Sequence, residues 1–326
     1  MNSSNTVELQ EAIAPETSSA KYHRELQPFE NTGFKDSKEI SVSPTRIKQP
    51  ILWPAFLFIT GVHLLALAGF FTFSWQALAV CLVLHWVTGG LGITLTYHRM
   101  LTHRSFQVPK WLEYALTIVA SLACQGGPIS WVGVHRLHHA KSDLPGDPHS
   151  PRDGFYWAHM GWCLHKNHII DNYAEYSRFA PDLAKDPVHR FLDRYFIIWT
   201  ILLAAGLYAW GTHLGGQGLS FVIWGIFVRL VLVYHSTWLV NSATHVWGYR
   251  TYKTGEDSTN LWWVALLSYG EGWHNNHHAF QTSARHGLKW WEFDSTYLAI
   301  KFLEMLGLAK SIKIPSDHLL KTKEAA

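Results

Sequence analysis

The chain has 326 residues, of which 48% are hydrophobic, 14% aromatic and only 16% charged, and it contains 21 His, 17 Trp and three Cys. Soluble domains carry about 25% charged residues, so this composition argues against a disordered chain and against an ordinary soluble enzyme. The net charge of +3 is too small to indicate a nucleic-acid partner, and three cysteines do not make a disulfide framework.

The first 49 residues are rich in Ser, Thr, Glu and Pro and lack apolar periodicity, so they are predicted to be a disordered tail. They contain no signal-peptide core, and their seven acidic residues argue against a transit peptide. Residues 50–313 are predicted to form a membrane domain with a cytoplasmic cap, and residues 314–326 a C-terminal tail.

Four stretches are long and apolar enough to cross a bilayer as helices. Residues 51–75 and 76–97 contain no charged side chain and are joined by a predicted turn at 74–76. Residues 195–210 and 219–241 form a second predicted hairpin, with a Gly-rich connector between them. Arg229 lies in the last stretch and should face the protein or the interface rather than lipid. The sequence thus predicts an all-α integral membrane protein with four transmembrane helices in two hairpins.

The distribution of Lys and Arg predicts the orientation. The connectors 74–76 and 211–218 carry none, whereas the flanking segments carry many, which places both termini and residues 98–194 on the cytoplasmic side. Segment 111–124 is apolar but bounded by Pro109 and a Gly-Gly-Pro sequence, so it is predicted to be interfacial or re-entrant. Four buried helices of a soluble protein are the alternative. Seven Trp are predicted to lie near the interfaces: 111, 157, 162, 262, 263, 290 and 291.

Histidine clusters lie after the second stretch, between the hairpins and after the fourth stretch. Positions i, i+3 and i+4 of a helix share one face, so each His-x-x-His-His triplet should aim three imidazoles in one direction. His98 and His103 lie about 140° apart around an ideal helix, which suits ligands to two neighbouring ions. His245, four residues after Asn241, is a weaker candidate. The clusters are His98 and His103; His135, His138 and His139; and His274, His277 and His278.

Eight or nine imidazoles exceed what one ion can hold, so the sequence predicts two metal ions. Imidazole suits iron, zinc, copper and nickel, and the residues alone do not separate these metals. Asp143, Asp147 and Glu271 lie close to the clusters. They are either carboxylates that fix the imidazoles by hydrogen bonds or solvated groups. His149, in the Asp-Pro-His sequence at 147–149, is predicted to be structural.

Two other classes of membrane protein also contain histidines in or near their spans. A bis-His haem electron carrier requires His pairs within the spans, facing each other, whereas these clusters lie beyond the predicted span ends. A metal transporter requires polar residues along the bilayer midplane, where few are present (His63, His85 and Arg229). Both classes are therefore disfavoured.

From about residue 54 to residue 313 the chain resembles the membrane-bound fatty acyl Δ9 desaturases of the stearoyl-CoA desaturase family. The motifs are specific, and they include Tyr-His-Arg-Met-Leu-Thr-His-Arg-Ser-Phe at 97–106 and Glu-Gly-Trp-His-Asn-Asn-His-His-Ala-Phe at 271–280. The segment Ser-Ala-Arg-His-Gly-Leu-Lys-Trp-Trp-Glu at 283–292 is most similar to the cyanobacterial acyl-lipid branch and its plant relatives.

The resemblance implies a di-iron site held by the cytoplasmic cap, with two Fe²⁺ ions as cofactors and O2 as co-substrate. The family's Asn that reaches one iron through water matches Asn241. A Gln, a Trp and a Thr that shape the bend of the acyl tunnel match Gln125, Trp131 and Thr237. The nine His ligands of the family match His98, His103, His135, His138, His139, His245, His274, His277 and His278.

Departures from the family refine the expected substrate and partner. The animal enzymes place an Arg-Asp pair where this chain has Gly133 and Val134, which favours a lipid-linked acyl chain over a CoA thioester. No His-Pro-Gly-Gly haem motif is present, so electrons are expected from a separate ferredoxin, with cytochrome b5 as the alternative. The cyanobacterial likeness implies a thylakoid or plasma membrane. A related di-iron hydroxylase is the alternative function, since both reactions begin with hydrogen abstraction.

Overall fold

The computed structural model describes residues 49–324, so the predicted disordered tail lies, except for residue 49, outside the described residues. Within the described part the protein is helical, and β-structure is limited to isolated bridges. The α-helices are α1 (Trp53–Ala66), α2 (Trp75–His85), α3 (Lys110–Ser121), α4 (Pro128–Lys141), α5 (Trp162–Leu164), α6 (Tyr173–Tyr176), α7 (Pro181–Ala184), α8 (Pro187–Arg194), α9 (Phe196–His213), α10 (Gly218–Val222), α11 (Arg229–Ser242), α12 (Trp262–Leu267), α13 (His274–Ala279), α14 (Ser295–Met305) and α15 (Asp317–Lys323).

Within residues 49–324, four helices are long and apolar enough to span a membrane, as predicted, but their ends differ from those predicted. α2 continues as a π-helix (Trp86–Thr102), and α10 and α11 are joined by a second π-helix (Ile223–Val228). A 28-residue helix is about 42 Å long, whereas the hydrocarbon core is about 30 Å thick. The apolar pattern marks only the part in lipid, so it missed the polar ends that carry His98 and His245. The four spans are Trp53–Phe71, Trp75–Thr102, Phe196–His213 and Gly218–His245.

The turn of the first hairpin lies slightly before its predicted position at 74–76. Trp75 and Gln76 are already helical, and the Ser74 hydroxyl accepts a hydrogen bond from the Ala77 amide, 3.1 Å away, as the cap of α2. Ser74 also donates to the Gln217 side chain at 2.6 Å. The turns of the two hairpins are therefore tied together.

The two long spans lie at the centre of the bundle and the two shorter ones at its edge. Half of the most apolar window of each long span is buried, against 11% for the span that contains α1 and 17% for α9. Arg229, in the last span, is fully buried. Its guanidinium donates to the Leu122 carbonyl at 2.6 Å and to the Gly225 carbonyl at 3.0 Å. Arg229 therefore faces the protein, one of the two predicted options.

The cap is built on α3, α4 and α8. With 12 residues, α3 is about 18 Å long, so it is too short to cross the bilayer. It lies against the π-helix of the second span so closely that a Cβ on Gly92 would stand 2.8 Å from Cα of Ala120. The Asp193 carboxylate, from α8, accepts hydrogen bonds from the Ile129 and Ser130 amides. It therefore caps α4, which carries the second histidine cluster.

Two parts of the cap differ from simple sequence expectations. Trp157 was predicted to lie near an interface, but it is buried and its indole N–H donates to the Pro148 carbonyl at 3.1 Å. The segment treated as a C-terminal tail contains α15. Lys323, at the end of α15, donates to the Ala279 carbonyl at 2.7 Å, directly after the third histidine cluster.

Candidate metal centre

The π-helix at the end of the second span sets the directions of His98 and His103. The His103 amide donates to the His98 carbonyl at 3.1 Å, five residues back, and the two rings lie 4.8 Å apart. The i→i+5 bond of a π-helix brings positions five apart closer to one face than an α-helix does. The prediction that these residues serve two different ions was therefore wrong, because it assumed α-helical geometry.

Nine imidazoles from four segments converge into two adjacent groups. In each group the possible ligand atoms all lie within 4.8 Å of one another. The groups touch, since the rings of His139 and His278 are 4.7 Å apart. The first histidine group contains His98, His103, His135, His139 and His277, and the second histidine group contains His138, His245, His274 and His278.

The prediction that each His-x-x-His-His triplet aims all three rings in one direction was also wrong. His135 and His139 join the first group, whereas His138 joins the second. The third cluster divides in the same way, with His277 separated from the other two. Positions i and i+4 lie about 40° apart around a helix, whereas i+3 and i+4 differ by about 100°, so each short helix serves both groups.

The ring nitrogens of the first histidine group converge. Nε2 of His277 lies 3.1 Å from Nε2 of His98 and 3.0 Å from Nε2 of His139, which is 3.0 Å from Nε2 of His135. A neutral imidazole has a single N–H, so these contacts cannot all be hydrogen bonds. Ligands at right angles around an ion with bonds of about 2.1 Å lie about 3.0 Å apart. The arrangement is therefore suited to metal binding.

The second histidine group presents ring nitrogens that have no partner in the protein. Nε2 of His138, His245 and His278 is buried and makes no hydrogen bond. At His138 and His245 the opposite nitrogen contacts a carboxylate. Nδ1 of His138 lies 2.9 Å from Asp147, and Nδ1 of His245 lies 3.0 Å from Asp143. A carboxylate there favours the N–H at Nδ1 and leaves the Nε2 lone pair for a metal.

Carboxylates surround the centre. Asp143, Asp147 and Glu271 are buried, so they are hydrogen-bonding partners of imidazoles and not solvated groups. Glu271 lies 2.7 Å from Nδ1 of His98, and Glu256 lies 3.7 Å from Nδ1 of His278. One carboxylate therefore contacts the first histidine group, and three contact the second. These negative charges favour the binding of cations at the centre.

Burial keeps most of these imidazoles neutral. It lowers the pKa of His135, His139 and His274 well below 6.5, and neighbouring imidazoles lower it further. For Glu271, burial alone would raise the pKa, but Arg99 and the neighbouring histidines hold the pKa well below its usual range. These three imidazoles are thus neutral and Glu271 is ionised, which are the protonation states that metal ligands and their partners need. At His138 burial alone would lower the pKa, but the Asp147 carboxylate outweighs burial and raises the pKa.

His286 is a residue of the centre that the sequence reasoning missed. It is fully buried, its ring lies 4.5 Å from that of His277, and its Nδ1 is 3.0 Å from Glu271 Oε2. The motif at 283–292 contained it, but a single His without a helical partner carries no spacing signal. His286 therefore belongs to the surroundings of the first histidine group.

A buried arginine connects the second span with the C-terminal part of the cap. Arg99 donates to Glu271 Oε1 at 3.0 Å, to Asp294 Oδ2 at 2.9 Å and to the Ala284 carbonyl at 2.8 Å. The same Asp294 oxygen accepts the His286 amide at 2.8 Å. This network fixes the two parts of the chain that supply His98 and His277.

Two adjoining cavities border the histidine groups. The larger, which we call the outer chamber, has a volume of about 430 Å³, and the smaller, which we call the inner chamber, measures about 50 Å³. Trp131, His135, Thr237 and Asn241 line both chambers, and His98 and His274 line the inner one. His149 lines the outer chamber, with its ring 4.3 Å from that of His138.

The three predicted tunnel residues lie together and bond to one another. The Gln125 amide donates to the Thr237 hydroxyl at 2.8 Å, and the Trp131 indole donates to the Gln125 carbonyl oxygen at 3.2 Å. Their polar atoms are therefore satisfied within the wall. At this point the wall therefore offers few free hydrogen-bonding groups to the cavity.

A third set of histidines lies outside the two groups. His63 and His235 face each other from two spans with 3.2 Å between their Nε2 atoms, and His159 Nε2 lies 2.9 Å from His235 Nδ1. His235 was missed among the polar residues of the spans. The 3.2 Å distance leaves no room for a haem plane between His63 and His235, so this pair does not form the facing site that a haem carrier requires.

Comparisons with known proteins give consistent findings. Residues 73–302 match the family described as "Fatty acid desaturase". The "sn-1 stearoyl-lipid 9-desaturase" of Anabaena variabilis is 56% identical over 272 residues, 83% of this chain and 97% of that protein. The protein of the same description from Synechocystis sp. (strain ATCC 27184 / PCC 6803 / Kazusa) is 50% identical over 83% of both chains. The "Acyl-CoA C20 Delta5-desaturase" of Anemone leveillei is 49% identical over 80% of this chain and 81% of its own.

Proposed function

We propose that this chain, which belongs to the fatty acid desaturase family, introduces a cis double bond at Δ9 of a saturated acyl chain held in a membrane lipid. The resemblance seen in the sequence is thereby confirmed at the level of the family. The observation that carries the proposal is the meeting of two histidine groups with the inner part of an apolar cavity. Relatives named for position 9 and for lipid substrates support the finer statement.

Two iron ions fit the centre, one in each histidine group. The first is assigned to His98, His103, His135, His139 and His277, and the second to His138, His245, His274 and His278, with Asn241 acting through water. Bound iron, with O2 as co-substrate and electrons from a donor, supplies the oxidant that removes hydrogen from an unactivated methylene, which no side chain can do. The converging lone pairs and the four buried carboxylates support this assignment.

The protein's own task is to place the correct methylenes beside the metals. A saturated chain has no polar group near its middle, so only the depth and the bend of the cavity can fix its register. Thr237 and Trp131 lie where the two chambers meet, and His135 and Asn241 line the same place. We assign Gln125, Trp131 and Thr237 to substrate binding. Their bonded side chains would hold the acyl chain kinked in the shape of the cis product.

The surroundings of Gly133 favour a lipid over a CoA thioester. A Cβ at Gly133 would lie 2.3 Å from the Tyr176 carbonyl oxygen, so the backbone after α6 occupies the space that a longer side chain would need. Val134, the neighbouring residue, is buried and lines the outer chamber. A basic contact to a CoA headgroup is therefore missing at this point of the cavity wall.

The chain is a membrane protein, and we infer that both termini and the metal centre lie on the cytoplasmic side. The Lys and Arg residues flanking the spans support this orientation. The electron donor in this proposal is ferredoxin, with cytochrome b5 as the alternative, and the membrane is a thylakoid or plasma membrane if the source is cyanobacterial. Ferredoxin is placed first because of the likeness to cyanobacterial proteins.

Expression in a host supplied with ferredoxin tests the function. Gas chromatography of the host lipids should reveal new cis-Δ9 monoenes, and the purified protein should carry about two iron ions and no haem band. A new hydroxy acid in place of the alkene would make the chain a hydroxylase. Absence of both products from iron-loaded protein with reduced donor would refute the proposal.

A further inference from the structure

Two membrane spans contribute exposed or half-buried residues to the lining of the outer chamber, and these residues mark its mouth. Ala55 and Phe58 of α1 line it on one side, and Phe196 and Ile197 of α9 on the other. Phe58 is 40% exposed and is part of the lipid-facing surface of the first span. We call these four residues the helix edge of the mouth. Asp171, in the loop between α5 and α6, lies on the remaining side, which we call the loop edge.

The helix edge is continuous with the surface that faces lipid. Leu57, beside Phe58, is 62% exposed, and Ile198, beside Ile197, is 42% exposed. The spans that contain them are the two least buried of the four. An acyl chain in the surrounding leaflet can therefore reach Ala55 and Ile197 without leaving an apolar environment.

The charges at the mouth do not suit a phosphate-rich headgroup. Among the described residues 49–324 that line the outer chamber there is no Lys or Arg, and Asp171 is the only acidic one. Phosphates are recognised by paired cations, above all arginine. A free thioester would also have to pass its acyl chain through water, and every exposed methylene adds to that cost.

We propose that the acyl chain enters the outer chamber sideways from the bilayer, between α1 and α9, while its headgroup stays in the membrane surface. The inference rests on the proposed function, and it names the substrate as a chain still attached to a membrane lipid. The chain slides past Ala55 and Ile197 towards Thr237, and the loop edge covers the chamber from the water side.

Five tryptophan substitutions separate the two edges. Ala55→Trp and Ile197→Trp narrow the helix edge, and Leu57→Trp and Ile198→Trp are matched controls that place the same bulk on lipid-facing positions outside the cavity. Asp171→Trp narrows the loop edge instead. Each iron-loaded variant is assayed with reduced ferredoxin on vesicles containing a stearoyl glycerolipid, and separately on stearoyl-CoA. Iron content and the size-exclusion profile check whether each variant is folded. If Ala55→Trp fails these checks, Ala55→Leu replaces it.

We expect Ala55→Trp and Ile197→Trp to lower turnover of vesicle lipid at least tenfold, while both controls and Asp171→Trp stay within twofold of wild type. Sideways access would be refuted if turnover of vesicle lipid fell only in the loop-edge variant, in the variants of both edges, or in none of them. Faster turnover of stearoyl-CoA than of vesicle lipid would also refute it. A wild-type protein that forms no monoene from either substrate would instead refute the proposed function itself.

Discussion

Asp147 offers a direct test of the second histidine group. This buried carboxylate contacts His138 of the second group and is not among the contacts of the first group. Its Oδ1 lies 2.9 Å from Nδ1 of His138, and its two oxygens also accept the amides of Asp143 and His149. Asp147→Asn keeps the shape, removes the charge and turns an N–H towards one of these donors. Loss of such a partner of a metal-bound imidazole lowers metal affinity about 10- to 100-fold, which corresponds to about 1.4 to 2.7 kcal/mol.

The assay is a chelator titration of purified, iron-loaded protein in which the iron retained per chain is counted. Asp147→Asn should release one ion at a 10- to 100-fold lower chelator concentration than wild type and keep the other unchanged. Asp193→Asn is the matched control, because Asp193 is also buried but caps α4 and contacts none of the nine imidazoles. If Asp147→Asn releases both ions together, or retains both as wild type does, the division into two groups is wrong.

Further substitutions test the cavity, the newly found histidine and the cap. Thr237→Trp should block turnover or shift the preferred acyl chain to shorter lengths while Thr237→Ser changes neither, and an unchanged product profile for Thr237→Trp would remove this residue from the tunnel wall. His286→Gln should weaken the ion of the first histidine group about tenfold through Glu271 and leave the other ion bound, as measured by the same titration; equal weakening of both would contradict its placement. Burial would raise the pKa of Asp182, but Arg136, whose guanidinium lies 2.7 Å away, holds that pKa below its usual range, so this pair stabilises the fold above about pH 4 and stops doing so as the pH falls. Asp182→Asn should therefore lower the melting temperature at pH 7 and make a smaller difference at pH 3, and a deficit that grows on acidification would have the wrong sign.

The four spans and the two histidine groups show how much of the structure could be predicted from the sequence. Long apolar stretches predicted all four spans, three of them free of charge and the fourth with only Arg229, because burial in lipid disfavours charge along about 20 residues. The same criterion placed the end of the second span at residue 97, since it sees only the part of the helix in lipid. Extra turns of that helix carry His98, and no apolar signal marks them.

The spacing of the histidines predicted a metal centre but divided them wrongly. An ideal α-helix separates His98 from His103, and the π-helix that brings them together has no sequence signal as clear as the helix period. His286 has no helical partner, and only the tertiary bond between Arg99 and Asp294 brings its segment to the centre. Long-range contacts of this kind cannot be read from local pattern.

The distribution of the groups along the chain fixes the order of events during synthesis. A nascent chain that ends before residue 271 contains four of the five imidazoles of the first histidine group and two of the four of the second. Arg99 would already lie at the end of an inserted span, while both of its carboxylate partners, Glu271 and Asp294, are still untranslated. Complete loading of the cofactor must therefore follow translation of His278, and a stop codon before residue 271 would leave Arg99 without either carboxylate.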